Sequence, residues 1–245
     1  MSQFSSVFTH DSLHHQQVVE AAESVPVYPP VGNHPVVEEE TIANACSSLK
    51  FSTSSGPDGI LAYILKKCSS SLSLPLALLF NMSLKFGIFP DHWKKSYVFP
   101  VFKKGNKQEV SNYRGISALC ATAKLFEKVV YAFLLHNCHH FISEHQYGFM
   151  PKRSTNTNLV LYTSFIAKSL QKGHQIDAIY TDFSAAFDKI NHRIAIAKFA
   201  RLGFSGSFSQ LSYNRIYVTA KWLSKLVILS RIIFQFLPGY HKAAF

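Results

Sequence analysis

Acidic residues are scarce in this chain, and beyond Asp188 there are none. From Met1 to Asp188 the sequence holds 16 Lys and Arg against 14 Asp and Glu; from Lys189 to Phe245 it holds 9 Lys and Arg and no Asp or Glu. The formal net charge of +11 therefore sits almost wholly in the last stretch, and says little about the partners of the earlier region. Chemistry that needs paired carboxylates has to find them at or before Asp188. Cysteine is also scarce. Cys46, Cys68, Cys120 and Cys138 are widely spaced, with no C-x-x-C pair and no metal-ligand spacing. That argues against a zinc site and for reduced thiols of an intracellular protein, with nucleus and cytoplasm both open. Long apolar runs are missing. Trp222 to Pro238 is interrupted by Lys225 and Arg231, too short and too charged for a membrane span; the alternative is a basic amphipathic helix lying on a surface. The polar stretch Met1 to His15 has no apolar signal core. No internal repeat is visible.

What is present is enough for a core. The chain has 245 residues, of which 47% are hydrophobic, the size of one large domain or two small ones. Met1 to Asn33 is rich in Ser, His, Gln and Pro and reads as an irregular leader. Glu38-Glu39-Glu40 opens a helix to about Lys50, the acids suiting the positive end of its dipole. Ser54 to Ile60 is a turn cluster, followed by apolar residues at helical spacing to Cys68. Leu72 to Phe86 has a broad apolar face, which predicts a well-buried helix. Ser96 to Phe102 is rich in β-branched and aromatic residues and reads as a strand, with Pro100 favouring an edge or bulge. Lys103 to Lys107 reads as a hairpin tip, and Asn112 to Ser117 begins the returning strand.

The result is a flexible basic hairpin with Lys103, Lys104 and Arg114. Such a hairpin can close over a polyphosphate; the alternative is a solvated turn. Ala121 to His136 reads as a helix. His136, His139, His140 and His145 cluster near Cys138 without a recognised ligand spacing, so exposed imidazoles are expected. Gln146 to Thr155 is a loop in which Ser154 or Thr155 can cap a helix to about Gln171. Ile176 to Asp188 begins as a strand and ends in a small-residue turn with Asp182 and Asp188, a natural place for a metal-holding carboxylate. A helix from about His192 to Arg201 follows. The class is α+β.

Five stretches then point one way. They are Ser55-Gly56-Pro57-Asp58-Gly59-Ile60, Trp93-Lys94 through Pro100 to Gly105, Asn112 to Ser117, Gln146-Tyr147-Gly148-Phe149 with Arg153-Ser154-Thr155, and Asp182 to Asp188 with His192 and Leu202-Gly203. In this order the chain resembles the reverse transcriptase domain of non-LTR (LINE-type) retrotransposons, over roughly Glu38 to Phe204. The resemblance implies a right-hand polymerase fold with only the fingers (34–175) and the first part of the palm (176–204), after a leader at 1–33 and before a divergent basic and apolar tail at 205–245. It also implies roles. Asp182, helped by the Phe183 carbonyl, would hold catalytic magnesium. Phe187 would sit under the incoming sugar and reject a 2′-hydroxyl. Arg114 with Lys103 or Lys104 would grip the triphosphate, and Gln146 and Arg153 would touch template or nucleotide. Asp188 reads as a structural hydrogen-bonding group. The partners implied are an RNA template, a DNA primer and deoxynucleoside triphosphates.

The family pattern continues with a Pro-Gln-Gly loop and a Tyr-x-Asp-Asp turn, and neither occurs in this sequence. A lone carboxylate holds magnesium poorly. The expectation is therefore a domain fragment that does not polymerise alone, fitting a frame change, an altered splice or a decayed copy. The competing readings are a non-enzymatic nucleic-acid-binding protein and a poorly folded product with an unpaired strand edge at Ile176.

Overall fold

The computed structural model describes residues 14–32, 35–52, 55–180, 191–204, 206 and 242–244. Four aromatic rings mark the centre of its main core. Phe80, Phe89, Trp93 and Phe126 are all buried, with neighbouring ring centroids 5.0 to 5.7 Å apart and mostly edge to face. That geometry sets the positive edge of one ring against the negative face of the next. Each buried ring contributes about 1.5–3 kcal/mol through lost water contact.

Three helices bring this cluster together. Helix α2 (Glu39–Ser47) starts with Glu39 and Glu40 in its first turn and buries Ile42, Ala45 and Cys46. After the short helix α3 (Ala62–Lys67) comes α4 (Ser69–Phe86), which stops at Gly87 in the left-handed region, φ +64. A glycine there avoids the Cβ clash that other residues meet. Asn81 of α4 donates to the Val37 carbonyl at 2.9 Å and accepts from the Val37 N–H at 2.8 Å, tying the entry of α2 to α4. Helix α5 (Ala121–Cys138) adds Leu125, Phe126, Val129 and Leu134.

The expectation of a well-buried Leu72–Phe86 helix holds for one face only. Ser73, Leu76, Ala77, Phe80, Ser83 and Leu84 point inward. Leu74, Leu78, Met82 and Phe86, each four residues from the last, are exposed. The segment is apolar on two faces, and the described elements cover one.

Between α4 and α5 the chain leaves the core as a hairpin. Strand β1 (Ser96–Phe102) pairs antiparallel with β2 (Tyr113–Leu119), from Ser96 opposite Leu119 to Phe102 opposite Tyr113. Pro100 lies within β1 opposite Gly115, without a bulge; β1 pairs with β2 alone, so its other edge asks for no N–H. The root of the hairpin is fixed by buried Trp93 before it and buried Cys120 after it. The turn at Gly56 packs on that root so closely that a Cβ on Gly56 would lie 2.7 Å from the Cys120 Cα. Asp58 in the same turn accepts from the Thr122 hydroxyl at 3.3 Å.

The leader is not wholly irregular. Residues His15–Ala22 form helix α1 and bury Val18 and Ala22. The chain after it is bound to the end of α7 (His192–Arg201). Tyr28 N–H donates to the Arg201 carbonyl at 2.8 Å and Val31 N–H to the Gly203 carbonyl at 3.0 Å, and Arg201 Nε donates to the Val25 carbonyl at 2.6 Å. Pro26, Pro29 and Pro30 in the leader favour a break. The i, i+4 pair Val18 and Ala22 was the helical signal they outweighed.

Helix α6 (Thr155–Gln171) begins at the Ser154 cap, whose hydroxyl accepts from Thr157 N–H at 3.2 Å. Its one fully buried residue is Ser169. Strand β3 (Asp177–Ile179) follows and pairs in parallel with β4 (Lys242–Ala244), Asp177 opposite Lys242. One edge of the strand expected to be unpaired thus has a partner. Helices with two small sheets make an α+β fold, as expected.

Candidate functional site

The basic hairpin is the best-defined candidate site. Opposed residues of an antiparallel pair share a face, and faces alternate along each strand. The register therefore puts Arg114 on one face with Val101, Phe99 and Ile116. Lys103 continues that face, its N–H donating to the Asn112 carbonyl at 2.8 Å. Phe102 and Tyr113 occupy the other face, 5.5 Å apart, and Lys107 Nζ lies 5.8 Å from the Phe102 ring centre. Lys103 and Arg114 are thus placed together, and Lys107 apart from them. Lys104 stands beside Gly105, which takes φ +90 at the turn.

The tip carries several hydrogen bonds of its own side chains. Asn112 fills its interior. Its Nδ2 donates to the Asn106 carbonyl at 2.9 Å and to Glu109 Oε2 at 3.2 Å. A Cβ on Gly105 would lie 2.7 Å from that same nitrogen. Asn106 Oδ1 accepts from Gln108 N–H at 3.0 Å, and Tyr113 donates its hydroxyl to the Lys107 carbonyl at 2.8 Å. Short polar side chains that bond nearby backbone in this way stabilise turns. The sequence reading missed Asn112 as an organiser; the Gly105-Asn106 pair seven residues before it was the signal.

No described carboxylate neutralises Lys103, Lys104 or Arg114. The one ion pair among the described residues is Lys94–Asp91, at 2.6 Å. The Lys94 hydrogen bond, then its charge, holds the Asp91 carboxyl below its ordinary value. Lys94, on the flank of the hairpin, is thereby partly spent.

Gln146 and Arg153 are brought together, but against the protein's own backbone. Gln146 is buried and donates to the Gly148 carbonyl at 3.0 Å. Arg153 Nη1 donates to the carbonyls of Glu144 and Gln146, both at 2.5 Å, and faces that of Ser143 at 3.4 Å. Its guanidinium also lies 5.4 Å from the Tyr147 ring centre. The pair holds the loop that presents Phe149, which is 57% exposed with φ +63.

Asp182, Phe183, Phe187 and Asp188 lie outside the described residues. The strand leading to them is described: Tyr180, after β3, shares a 2.8 Å hydroxyl contact with Tyr162 of α6. The described acid that precedes them is Asp177, five residues before Asp182 in the sequence. Among the described residues no three His, Cys, Asp or Glu side chains gather into a metal site, the histidines near Cys138 included. Burial pushes the Cys138 thiol up to about 12 and raises those of Cys46 and Cys120, so these three are protonated and unreactive. The described residues by themselves offer no set of carboxylates for a two-magnesium centre.

Comparison with known proteins gives a consistent picture. A protein-family model described as "Reverse transcriptase (RNA-dependent DNA polymerase)" matches residues 101–235. The chain is 29% identical over 169 residues to the "Probable RNA-directed DNA polymerase from transposon BS" of Drosophila melanogaster, covering 68% of this chain and 19% of that one. It is 29% identical over 174 residues to the "Putative 115 kDa protein in type-1 retrotransposable element R1DM" of Drosophila melanogaster, covering 69% and 16%. It is 29% identical over 131 residues to the "RNA-directed DNA polymerase from mobile element jockey" of Drosophila melanogaster, covering 52% and 14%. The chain thus spans less than a fifth of the length of these curated relatives.

Proposed function

The chain belongs to the reverse transcriptase (RNA-dependent DNA polymerase) family, and on that premise we propose that it is the nucleotide-gripping part of a LINE-type polymerase, not a complete catalyst. Residues 34–175 are the fingers and 176–204 the start of the palm of a right-hand polymerase; the leader and the tail flank them. The observation that carries this reading is the ordered hairpin, with Lys103 and Arg114 on one face and no described carboxylate to neutralise them.

The chemistry of the grip follows from these side chains. Arg114 offers a planar fork that matches two oxygens of a triphosphate, and Lys103 and Lys104 add point charges. Template and primer nucleic acid are the partners, an RNA template and a DNA primer by resemblance, inside a cell. Gln146 and Arg153 shape the loop beside Phe149 and act on template or nucleotide through it. Phe187 checks the sugar of the incoming nucleotide. Membership of the family suggests dependence on a divalent metal in general, with Asp182 and the Phe183 carbonyl as the residues that reach it. The missing second set of carboxylates leaves that centre unbuilt in this chain, so no catalytic step is assigned to it. Among the described residues no helix is long and apolar enough to cross a membrane.

Titrating the full chain with a fluorescent deoxynucleoside triphosphate tests the grip. Arg114→Ala should weaken binding about 10-fold or more, the size of a lost charge-assisted pair. Binding indifferent to Arg114→Ala would refute the assignment. Primer extension by the purified chain should be absent, and Asp182-dependent incorporation would overturn that part. The second reading, a nucleic-acid-binding protein without catalysis, is favoured if nucleotide binding fails while salt-dependent RNA binding survives and needs Lys103, Lys104 and Arg114.

A further inference from the structure

A second basic surface lies away from the hairpin, where the chain leaves α2. Ser48, Leu49, Lys50 and Phe51 form a short connection that two other helices reach across to touch. Lys66 of α3 donates Nζ to the Leu49 carbonyl at 3.0 Å. Lys128 of α5 donates Nζ to the Ser48 hydroxyl. Phe51 is 68% exposed, yet its ring meets that of Tyr63 on α3 edge to face, with centroids 5.2 Å apart. Lys67 Nζ lies 5.9 Å from the Tyr63 ring centre. Lys50, Lys66, Lys67 and Lys128 are all exposed, and none pairs with a described carboxylate.

Lysines alone would be a solvated surface. What sets this place apart is an exposed ring pair held among them. Phe51 does not join the aromatic core around Phe80, although that core is built from the same helices. It is held outward by its contact with Tyr63, and the anchors at Ser48 and Leu49 fix the connection on either side of which lysines stand. Aromatic faces beside unneutralised lysines match one kind of ligand. A nucleobase stacks on the ring whatever its identity, and the phosphates on either side of it meet the ammonium groups. A duplex keeps its bases stacked on one another and offers no free face. A folded protein partner would need acidic side chains and apolar complementarity over a larger area.

We propose that Phe51 and Tyr63, with Lys50, Lys66, Lys67 and Lys128, form a contact surface for single-stranded nucleic acid that is separate from the nucleotide-gripping hairpin. It shares no residue with Lys103, Lys104 or Arg114. The site follows a strand of RNA or DNA by stacking and charge, without reading its sequence.

The test uses the full chain and labelled single strands of about 12 nucleotides, one RNA and one DNA, beside a duplex of the same length, followed by fluorescence anisotropy over a range of salt. Phe51→Ala is expected to weaken single-strand binding about 5- to 150-fold, the loss of one stacked base, with Tyr63→Ala in the same direction. Lys67→Gln should lower the salt slope by about 0.7, one phosphate contact. Thermal melting should stay unchanged in Phe51→Ala, because the ring is exposed. Nucleotide binding at the hairpin should also stay unchanged, which separates the two sites: Arg114→Ala weakens nucleotide binding and leaves single-strand binding as it was. Four results would overturn the proposal. They are no single-strand binding, binding unaffected by both aromatic variants, equal affinity for duplex and single strand, and loss through the lysine variants alone.

Discussion

Replacing Asn112 by Ala removes two hydrogen bonds from the interior of the hairpin tip, those to the Asn106 carbonyl and to Glu109. Each such bond contributes about 0.5–1.5 kcal/mol net, because water offers replacements at a half-exposed site. The loss of order in the loop is then about 1–3 kcal/mol. Global stability should barely move, since the tip lies beyond the strands and buries nothing in the main core. Triphosphate affinity should move, because the chain must first bring Lys103 and Arg114 back onto one face. Apparent affinity scales with the fraction of molecules already in the competent arrangement. If the intact loop is ordered by about as much as the variant loses, roughly half the molecules stay competent and a drop of about 2-fold follows. Gly105→Ala should give the same result by another route, as its new Cβ needs the place of the Asn112 amide and its φ is +90. The assay is titration with a fluorescent deoxynucleoside triphosphate, with inorganic tripolyphosphate as competitor, beside a denaturant melt. Unchanged affinity in Asn112→Ala while Arg114→Ala still binds poorly would refute preorganisation by Asn112. Unchanged affinity in both would instead remove the hairpin as the binding site.

Further outcomes follow from the core, the second loop and the thiols. Gly56→Ala places a Cβ 2.7 Å from the Cys120 Cα; neither backbone can yield easily, so denaturant melts should show a loss of about 1–3 kcal/mol. Arg153→Met removes the cation from the carbonyls of Ser143, Glu144 and Gln146, and limited proteolysis should then cut between Ser143 and Lys152 at a rate well above that of the parent chain. The thiol reagent that finds exposed Cys68 in the native chain should leave Cys46, Cys120 and Cys138 unlabelled until unfolding. For Cys138 the sign with pH is fixed by its raised folded value. The unfolded chain gives up this proton near 9 and the folded chain near 12, so stability is intact below 9 and falls across that interval. Cys138→Ala should flatten the fall in alkaline melts, and an equally steep fall would count against burial of that thiol.

Local chemistry made much of the fold legible. The hairpin strands, the Ser154 cap and the span of α7 all follow from turn residues, β-branched runs and helical periodicity. Two readings failed because burial belongs to neighbours and not to a segment. Leu72 to Phe86 has apolar residues on two faces, and periodicity cannot say that the Leu74, Leu78, Met82 and Phe86 face meets nothing described. Helix α1 is stabilised by α7, which is more than 160 residues away in sequence, and by Arg201 on the Val25 carbonyl. A local window at His15 contains none of that.

The site shows the same division. Residue type alone marked Lys103, Lys104 and Arg114 as cations near a turn, but side-chain direction required the register that pairs Arg114 with Val101. Arg153 shows why a cation in a loop is weak evidence of ligand contact. Its guanidinium donates to the Glu144 and Gln146 carbonyls, which the turn there leaves without strand or helix partners, a demand set by backbone geometry and invisible in composition. For a triphosphate, the cations of these two loops whose charge remains free are therefore those in the hairpin, whose backbone is already satisfied by its own ladder and by Asn112. By this reasoning, Arg153→Met should disturb loop order first and nucleotide affinity only as a consequence. Arg114→Ala should reduce affinity while leaving hydrogen exchange in both loops unchanged.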